Sequence, residues 1–380
     1  MKWKISLAVM LLCIAQGGWA QDEAKIEAFN GAWKEYSAAV KSGNRNAAVE
    51  AARDVLDAGH AVLPAADSRI AILTQNYGSA LLAAGKTDEA REQLEVAVDL
   101  LTAEYGKDAI ELISALAELA DASSGAGNDY EQVKLYKRAL AISAEHQGDT
   151  SPEYGALAFQ AGRNVYEMSH SRIGEKYIKI ARKILVAEYG AGDANVGMAD
   201  LYLGKISFSS SRHKQAARYL EEALATFVGD SDSMKSLRLI TRALLVDAYE
   251  SRGKTDLATP HCVAIGAESE FSPDQDYTPI FRLAPQYPGE LLAQGVEGFV
   301  DLEFTVDENG FVQNPQVLQS KPGTLPRRGS IRKLGRGEDA SFEVAAMNAV
   351  NRFRFAPRFV EGEAVAVDGV TTRISFQLVE

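Results

Sequence analysis

Residues that could carry out catalysis are few in this chain of 380 residues and lie far apart. No two of the five histidines are four residues apart, which is the spacing that puts two metal ligands on one face of a helix. The five histidines are His60, His146, His170, His213 and His261. We therefore expect no metal site.

Ser251-Arg252-Gly253-Lys254 matches the S-x-x-K pattern of a nucleophilic serine with a nearby lysine. Its Gly-Lys pair also occurs at Gly85-Lys86, so the repeat pattern described below accounts for it. The sequence contains no G-x-S-x-G, no phosphate-binding glycine loop and no dinucleotide fingerprint. We therefore predict no catalytic residue and no cofactor, and interpret the protein as a non-enzyme.

The composition is that of a folded, acidic protein. Hydrophobic residues make up 46% of the chain, and the formal net charge is −12. A nucleic-acid-binding protein needs a basic face to displace counterions from phosphates, so this charge argues against nucleic acid as the partner.

The first twenty residues resemble a secretory signal. Lys2 and Lys4 precede the apolar run Ile5–Ala15, and Gly18-Trp19-Ala20 supplies small residues for cleavage before Gln21. The apolar run is about half of the roughly 20 residues that span a bilayer. We predict that residues 1–20 are a cleaved signal peptide, that the protein is periplasmic, and that it has no stable membrane anchor. The alternative is an uncleaved anchor.

A pattern of a small residue, a polar turn and a helix recurs every 42 residues, six times in succession. The six turns begin at Gly43, Gly85, Gly127, Ser169, Ser211 and Gly253. The helix before four of these turns has its own small position, at Gly78, Ala120, Gly162 and Gly204. Small residues at this spacing let two antiparallel helices approach closely.

Residues 21–268 are therefore predicted to form an α-helical repeat domain. The pattern resembles tetratricopeptide repeats of the longer, kinesin-light-chain type. Such repeats stack on their neighbours and create a concave surface. The surface is interpreted either as a groove for a second periplasmic protein or as a spacer without a ligand.

The hydrophobic pattern changes after a polar linker at residues 269–278. Apolar residues then alternate with polar ones from Val300 to Val306, which predicts a strand, and Asn309-Gly310 predicts a hairpin turn. We expect Ser341 to cap a helix over Phe342–Phe353, followed by a last strand over Val370–Leu378. Residues 279–380 would thus form a small α+β domain with an antiparallel sheet and one helix.

Five motifs in this domain, taken in order, resemble the TonB C-terminal domain. These are Pro285-Gln286-Tyr287-Pro288, Gly295-Val296-Glu297-Gly298, Asp307-Glu308-Asn309-Gly310, Ala349–Pro357 and Ile374–Leu378. The resemblance implies a protein that binds a segment of an outer-membrane TonB-dependent transporter, or another TonB-system component, by adding a strand to the edge of the last strand. Tyr287 and Pro288 match the Tyr-Pro pair that lies near this contact in the family, although the tyrosine's role could be packing alone.

An open strand edge offers backbone N–H and C=O groups to a partner strand. This edge contains one charged residue and no proline to block it. The predicted partner-strand residues are Val370, Thr371, Thr372, Arg373, Ile374, Ser375, Phe376 and Gln377. The alternative is that a loop, or a second copy of the chain in a homodimer, covers the edge.

Two features depart from the family. Energy-transducing members have an N-terminal membrane anchor and a proline-rich spacer, and this chain has neither pattern. A basic insertion lies before the predicted helix, with Arg327, Arg328, Arg332, Lys333 and Arg336. It is interpreted as a solvated loop or as a contact for anionic lipid in peripheral membrane association, for peptidoglycan-linked phosphate, or for the acidic repeats.

The predicted function is a periplasmic adaptor of TonB-type transport, for example in siderophore or iron uptake. The C-terminal domain would bind a partner strand, and the repeats would bind a second protein. Two alternatives remain: an envelope scaffold that uses the C-terminal domain for docking or dimerisation, and a full energy transducer if the N-terminal segment is retained.

Overall fold

A computed structural model describes residues 21–64, 67–123, 129–167, 171–269, 277–324 and 338–378. The predicted signal peptide and the five named residues of the basic insertion lie outside these ranges. The chain divides between His170 and Ser171 into two compact units, here called unit 1 and unit 2.

Unit 1 contains seven helices among its described residues, and each contacts the next in chain order. They are α1 (Gln21–Ser42), α2 (Arg45–Val62), α3 (Ser68–Ala83), α4 (Thr87–Tyr105), α5 (Leu112–Ala122), α6 (Asp129–Gln147) and α7 (Pro152–Glu167). The predicted helix–turn–helix arrangement is confirmed, with α1–α2, α3–α4 and α5–α6 as the hairpins.

The turns have the backbone geometry that the repeat pattern requires. Four of the six predicted turn residues are described, and all four have positive φ. The angles are 74° at Gly43, 79° at Gly85, 57° at Ser211 and 65° at Gly253. Glycine takes this left-handed conformation without a steric cost, which explains its recurrence at the turn.

The small positions of the repeat lie where two helices touch. A Cβ atom on Gly78 would come within 2.7 Å of Leu94, and one on Gly204 within 2.7 Å of Leu220. These leucines sit at the same place in their respective hairpins, three repeats apart. Close helix approach is therefore the physical reason for the small residues.

Unit 2 begins with five helices. They are α8 (Ser171–Tyr189), α9 (Ala194–Ser209), α10 (His213–Thr226), α11 (Asp232–Glu250) and α12 (Thr255–Glu268). Helix α12 continues through Pro260. Pro260 is the sixth residue of the helix, so its missing N–H removes the hydrogen bond to the Asp256 carbonyl, and the buried neighbours Ala258, His261 and Cys262 keep the helix packed.

The α+β domain follows in unit 2. Its elements are α13 (Gly289–Gln294), β1 (Val296–Val306), β2 (Val312–Thr324), α14 (Glu338–Val350), β3 (Arg358–Val360), β4 (Glu363–Val365) and β5 (Val367–Phe376). Strands β2, β1 and β5 form an antiparallel sheet in that order. Buried residues of β1 and β5 pack with Phe342, Val350 and Phe353 to form the core.

The order strand, strand, helix, strand is confirmed, with two differences in detail. Helix α14 begins at Glu338, so the prediction that Ser341 caps it is wrong. The short hairpin formed by β3 and β4 was not predicted from the sequence.

Candidate partner-binding site

Strand β5 lies at one edge of the sheet. It pairs with β1 from Gly298↔Phe376 to Val306↔Val367, and in the described part of the chain no strand pairs with its other side. An antiparallel edge strand leaves half of its backbone N–H and C=O groups without strand partners. The predicted partner-strand residues therefore lie at an open edge, apart from Gln377, which follows β5 directly.

Side chains alternate along this edge strand. Val370, Ile374 and Phe376 are buried in the domain core. Thr371, Arg373, Ser375 and Gln377 are exposed on the opposite side. The buried residues hold β5 in place, so its backbone is already extended before any partner arrives, and this preorganisation lowers the entropic cost of binding.

Arg373 is the charge among the predicted partner-strand residues, but it is directed across the sheet. Near the start of β5, Asp368 accepts a hydrogen bond from Thr305 Oγ1 of β1 at 2.6 Å. The Arg373 Nε and Nη2 donate to the two Asp301 oxygens at 2.7 and 2.8 Å, and its guanidinium lies 4.0 Å from the Phe299 ring centroid. These hydrogen bonds lower the pKa of Asp301. Since Asp301 and Phe299 belong to β1, the charge lies over the sheet and not beside the open edge.

The opposite edge, on β2, is less regular. Its pairing with β1 shifts register twice, and Asn314 has a φ of 50° beside Pro315. The pairing of β5 with β1 shifts register once, near the start of β5, where Gly369 has a φ of 70°. Proline and bulges are devices that stop an edge from pairing with another strand. The two edges of the sheet are therefore unequal, and β5 is the more suitable one for strand addition.

Tyr287 lies at one end of β5. Its ring packs edge-on against Phe376 and Phe342, with centroids 5.6 and 5.8 Å away, and its hydroxyl donates to the Val296 carbonyl at 2.5 Å. Burial raises the pKa of this phenol. Pro288 precedes α13 in an extended conformation. The tyrosine thus supports the end of the edge strand by packing, and its contact with a partner stays a prediction.

A buried ion pair joins the α+β domain to the last repeat helices within unit 2. Arg354 donates to Glu250 of α11 at 2.5 Å, and their side chains are 2% and 3% exposed. Arg354 also donates to Thr259 of α12 at 3.0 Å and to the Asn309 carbonyl at 3.1 Å. No local sequence pattern predicts this contact, because its two residues are 104 positions apart.

Backbone and aromatic contacts extend the same junction. Phe281 is buried among the last repeat helices and forms an isolated β-bridge with Arg354. A Cβ atom on Gly266 of α12 would lie 2.2 Å from the Pro357 carbonyl oxygen, so the two backbones touch there. The last repeat helices and the α+β domain are therefore packed together as one compact body.

A cavity of about 480 Å³ lies at this junction. It is lined by Phe208, Asp247, Glu250, Ser251, Phe281, Arg282, Leu283 and Arg352. Burial raises the pKa of Asp247 to about 6. Arg282 connects the cavity with the edge strand, since its Nη2 lies 3.4 Å from the Thr372 hydroxyl.

His261 and Cys262 are buried side chains of α12. His261 stacks on Tyr249 and contacts Glu221 at 3.2 Å. Cys262 is buried, and burial raises the pKa of its thiol to about 11. In the described ranges no group of three or more His, Cys, Asp or Glu side chains is arranged to hold a metal ion.

Comparison with known proteins finds the C-terminal domain family that the motifs indicated. Residues 284–328 match the family model described as Gram-negative bacterial TonB protein C-terminal. A segment of 97 residues is 29% identical to Protein TonB of Yersinia enterocolitica, covering 26% of this chain and 29% of that protein. A segment of 93 residues is 30% identical to Protein TonB of Pseudomonas aeruginosa, covering 24% of this chain and 22% of that protein. The aligned segments thus span less than a third of each relative.

Solved structures similar to the chain include helical-repeat proteins. BtubC (BKLC) from P. vanneervenii aligns with a TM-score of 0.48 and 16% identity over 70% of this chain and 99% of its own. A kinesin light chain with TPR-like repeats from Podosopora anserina aligns with a TM-score of 0.46 and 18% identity over 54% and 95%. Among the described residues, no helix is both long enough and apolar enough to cross a membrane.

Proposed function

We propose that this protein is a periplasmic adaptor of TonB-type transport that binds a partner segment by strand addition to β5. The observation that carries the proposal is the contrast between the two sheet edges. Among the described residues, β5 is unpaired on one side and irregular only near its start, at Gly369, whereas β2 contains Pro315 and two register shifts along its pairing with β1. Backbone pairing supplies affinity with little demand on sequence, and alternate side-chain contacts supply specificity.

The partner class follows from the relatives. Both are named Protein TonB, and their similarity to this chain lies in about a hundred residues. The segment bound would belong to an outer-membrane TonB-dependent transporter or to another component of that system. The repeats would bind a second periplasmic protein, and residues 1–20 would be removed on export. In the alternative of a full transducer, residues 1–20 are retained as an anchor. The mass of the mature protein distinguishes this alternative from cleavage.

The test uses synthetic peptides of transporter N-terminal segments and the isotope-labelled protein. We expect saturable amide shifts at residues 370–376. Thr371→Lys and Ser375→Lys place charges on the open strand, and lysine on an edge strand opposes pairing with another strand. Each variant should weaken peptide binding about tenfold or more, which corresponds to at least about 1.4 kcal/mol. Gln319→Lys, an exposed position of β2, is the matched control and should leave binding unchanged.

The scaffold alternative predicts a different occupant of the same edge. If β5 pairs with β5 of a second copy, the protein should sediment as a dimer, and Ser375→Lys should dissociate it. A dimer that no transporter peptide disrupts, with normal growth under iron limitation in a deletion strain, would replace the transport proposal. Peptide shifts confined to regions away from β5 would also contradict it.

A further inference from the structure

The cavity at the junction within unit 2 has two acidic side chains in its wall, and only one of them is paired. Asp247 and Glu250 lie three residues apart on α11. Arg354 donates to one oxygen of Glu250 at 2.5 Å, and Thr255 Oγ1 donates to the other at 3.0 Å. The Asp247 side chain makes no hydrogen bond or ion pair in the part of the chain that the structure describes. Its carboxylate therefore has no counter-charge.

The position of Asp247 makes an unpaired carboxylate costly. The residue is half-buried, and burial raises its pKa to about 6. It also lies in the last turn of α11, where the helix dipole disfavours negative charge. An asparagine in the same place would avoid the cost of the charge. A carboxylate in a cleft is therefore better explained here by a cationic group of a ligand than by packing.

The cavity wall also contains positive groups, but they do not neutralise Asp247. Burial is the cause of its raised pKa, and no arginine offsets the rise. Arg352 is exposed and makes no ion pair among the described residues. The Arg282 guanidinium lies 5.6 Å from the Phe353 ring centroid and 3.4 Å from the Thr372 hydroxyl, so neither contact is with an acid. Both guanidinium groups are thus able to bind a carboxylate.

The rest of the cavity wall is largely apolar. Phe281 is buried in the core of the last repeat helices, and Phe208 and Leu283 are partly buried against the same core. A volume of about 480 Å³ falls within the range of small-molecule sites, in which a few polar groups orient the ligand against apolar walls. The cavity thus combines one negative group, two positive groups and an apolar surface.

We propose that this cavity binds a small zwitterion with an apolar body, such as an amino acid or a dipeptide. The ammonium group of the ligand donates to Asp247, and its carboxylate accepts from Arg282 and Arg352. Its apolar part packs against Phe208 and Phe281. A ligand with only a positive charge is repelled by the two arginines, and one with only a negative charge is repelled by Asp247, so a ligand with both charges fits best. This site is separate from the proposed strand addition and does not depend on it.

The test is a titration of the isotope-labelled full chain with leucine and with leucyl-leucine. The matched ligands are leucinamide, which lacks the carboxylate, and 4-methylpentanoate, which lacks the ammonium group. We expect saturable shifts of amides at residues 247–251, 281–283 and 352 for at least one zwitterion, and at least tenfold weaker binding of both matched ligands. The two zwitterions differ in size and in the distance between their charges, so their relative affinity shows whether the cavity takes an amino acid or a dipeptide.

Variants of the charged residues test their separate roles. Asp247→Asn should weaken binding of the zwitterion about tenfold or more, which corresponds to at least about 1.4 kcal/mol. It should also retain or raise the melting temperature, because the amide relieves a half-buried charge. The double variant Arg282→Gln with Arg352→Gln should lose the preference for the zwitterion over leucinamide. Asp230→Asn removes a negative charge from an exposed site between α10 and α11 and should change nothing.

Three results would overturn the inference. They are the absence of saturable shifts with both zwitterions, equal affinity for a zwitterion and either matched ligand, and equal losses in Asp247→Asn and Asp230→Asn. The arginine double variant keeps the test decisive if Asp247→Asn disturbs the fold, because it leaves α11 unchanged. Failure here would leave the transporter-peptide shifts at β5 intact, so it is distinguishable from failure of the proposed strand addition.

Discussion

Arg354 and Glu250 form a buried ion pair across 104 residues of sequence, and both side chains are almost fully enclosed. The guanidinium also lies 3.8 Å from the centroid of the Phe311 ring. One side chain thus links α11, α12 and the turn between β1 and β2. Within unit 2, movement of the α+β domain away from the last repeat helices would expose an unpaired charge, so the two parts should unfold together.

Breaking this ion pair should destabilise unit 2 strongly. We expect Glu250→Leu to cost about 3–5 kcal/mol, because it leaves Arg354 buried without its partner. The double variant Glu250→Leu with Arg354→Met should recover much of that loss. Urea unfolding followed by circular dichroism measures both. Asp301→Asn, which breaks the exposed pair with Arg373, is the control and should have a far smaller effect; an equal effect would contradict the buried-pair argument.

Close helix packing makes a second prediction at the small positions of the repeat. Gly78→Ala and Gly204→Ala should each destabilise the protein by about 1–2 kcal/mol, because the added methyl group overlaps a leucine that must move. Gly31→Ala is the matched control on α1, where a Cβ atom meets nothing within 4 Å. It should stabilise by up to about 1 kcal/mol through helix propensity. Thermal unfolding of the three variants gives the comparison, and loss of stability in Gly31→Ala would contradict it.

The repeat could be predicted from sequence because its period reflects local contacts. Gly85 takes positive φ at the turn, and Gly78 lies where two helices of one hairpin touch, so both requirements recur every 42 residues. The open edge of β5 followed from strand order and the resemblance to a known domain. Its eight named residues remain a prediction as a binding site.

Other features depend on contacts between residues that are distant in sequence, and no local sequence pattern predicts them. Glu250 ends one repeat helix and Arg354 belongs to the α+β domain, so their pairing follows only from how the two parts pack. Ser341 has the composition of a helix cap, but it lies inside α14, because the helix begins three residues earlier. Glu118 of α5 likewise accepts a hydrogen bond from Gln75 of α3, in a different hairpin. The repeat pattern predicts which helix faces are buried, but it does not predict which side chains meet.

A third prediction concerns the turn at Ser211, where the repeat has serine instead of glycine. Its φ of 57° is unfavourable for a residue with a Cβ atom. Ser211→Gly should therefore stabilise the protein by roughly 0.5–1 kcal/mol, after allowance for the greater entropy of glycine in the unfolded chain. Gly253→Ser is the reverse change at the equivalent turn and should destabilise by a similar amount. The two variants should change the free energy of unfolding, measured in urea, in opposite directions. A loss of stability in both would show that glycine is not the better residue at Ser211.

The last prediction is a pH dependence set by Asp247, which lines the cavity with Glu250, Arg282 and Arg352. Burial raises its pKa to about 6 in the folded state, against an ordinary value of 3.8. Between these values the folded protein binds more protons than the unfolded chain, so this group's contribution to stability decreases as pH rises. Asp247→Asn should therefore stabilise the protein at pH 7.5, by about 1 kcal/mol for a half-buried group, and by much less at pH 4. Thermal unfolding at both values measures the difference. An equal gain at pH 4 and pH 7.5 would mean that the carboxylate is not destabilised by its burial in the cavity wall.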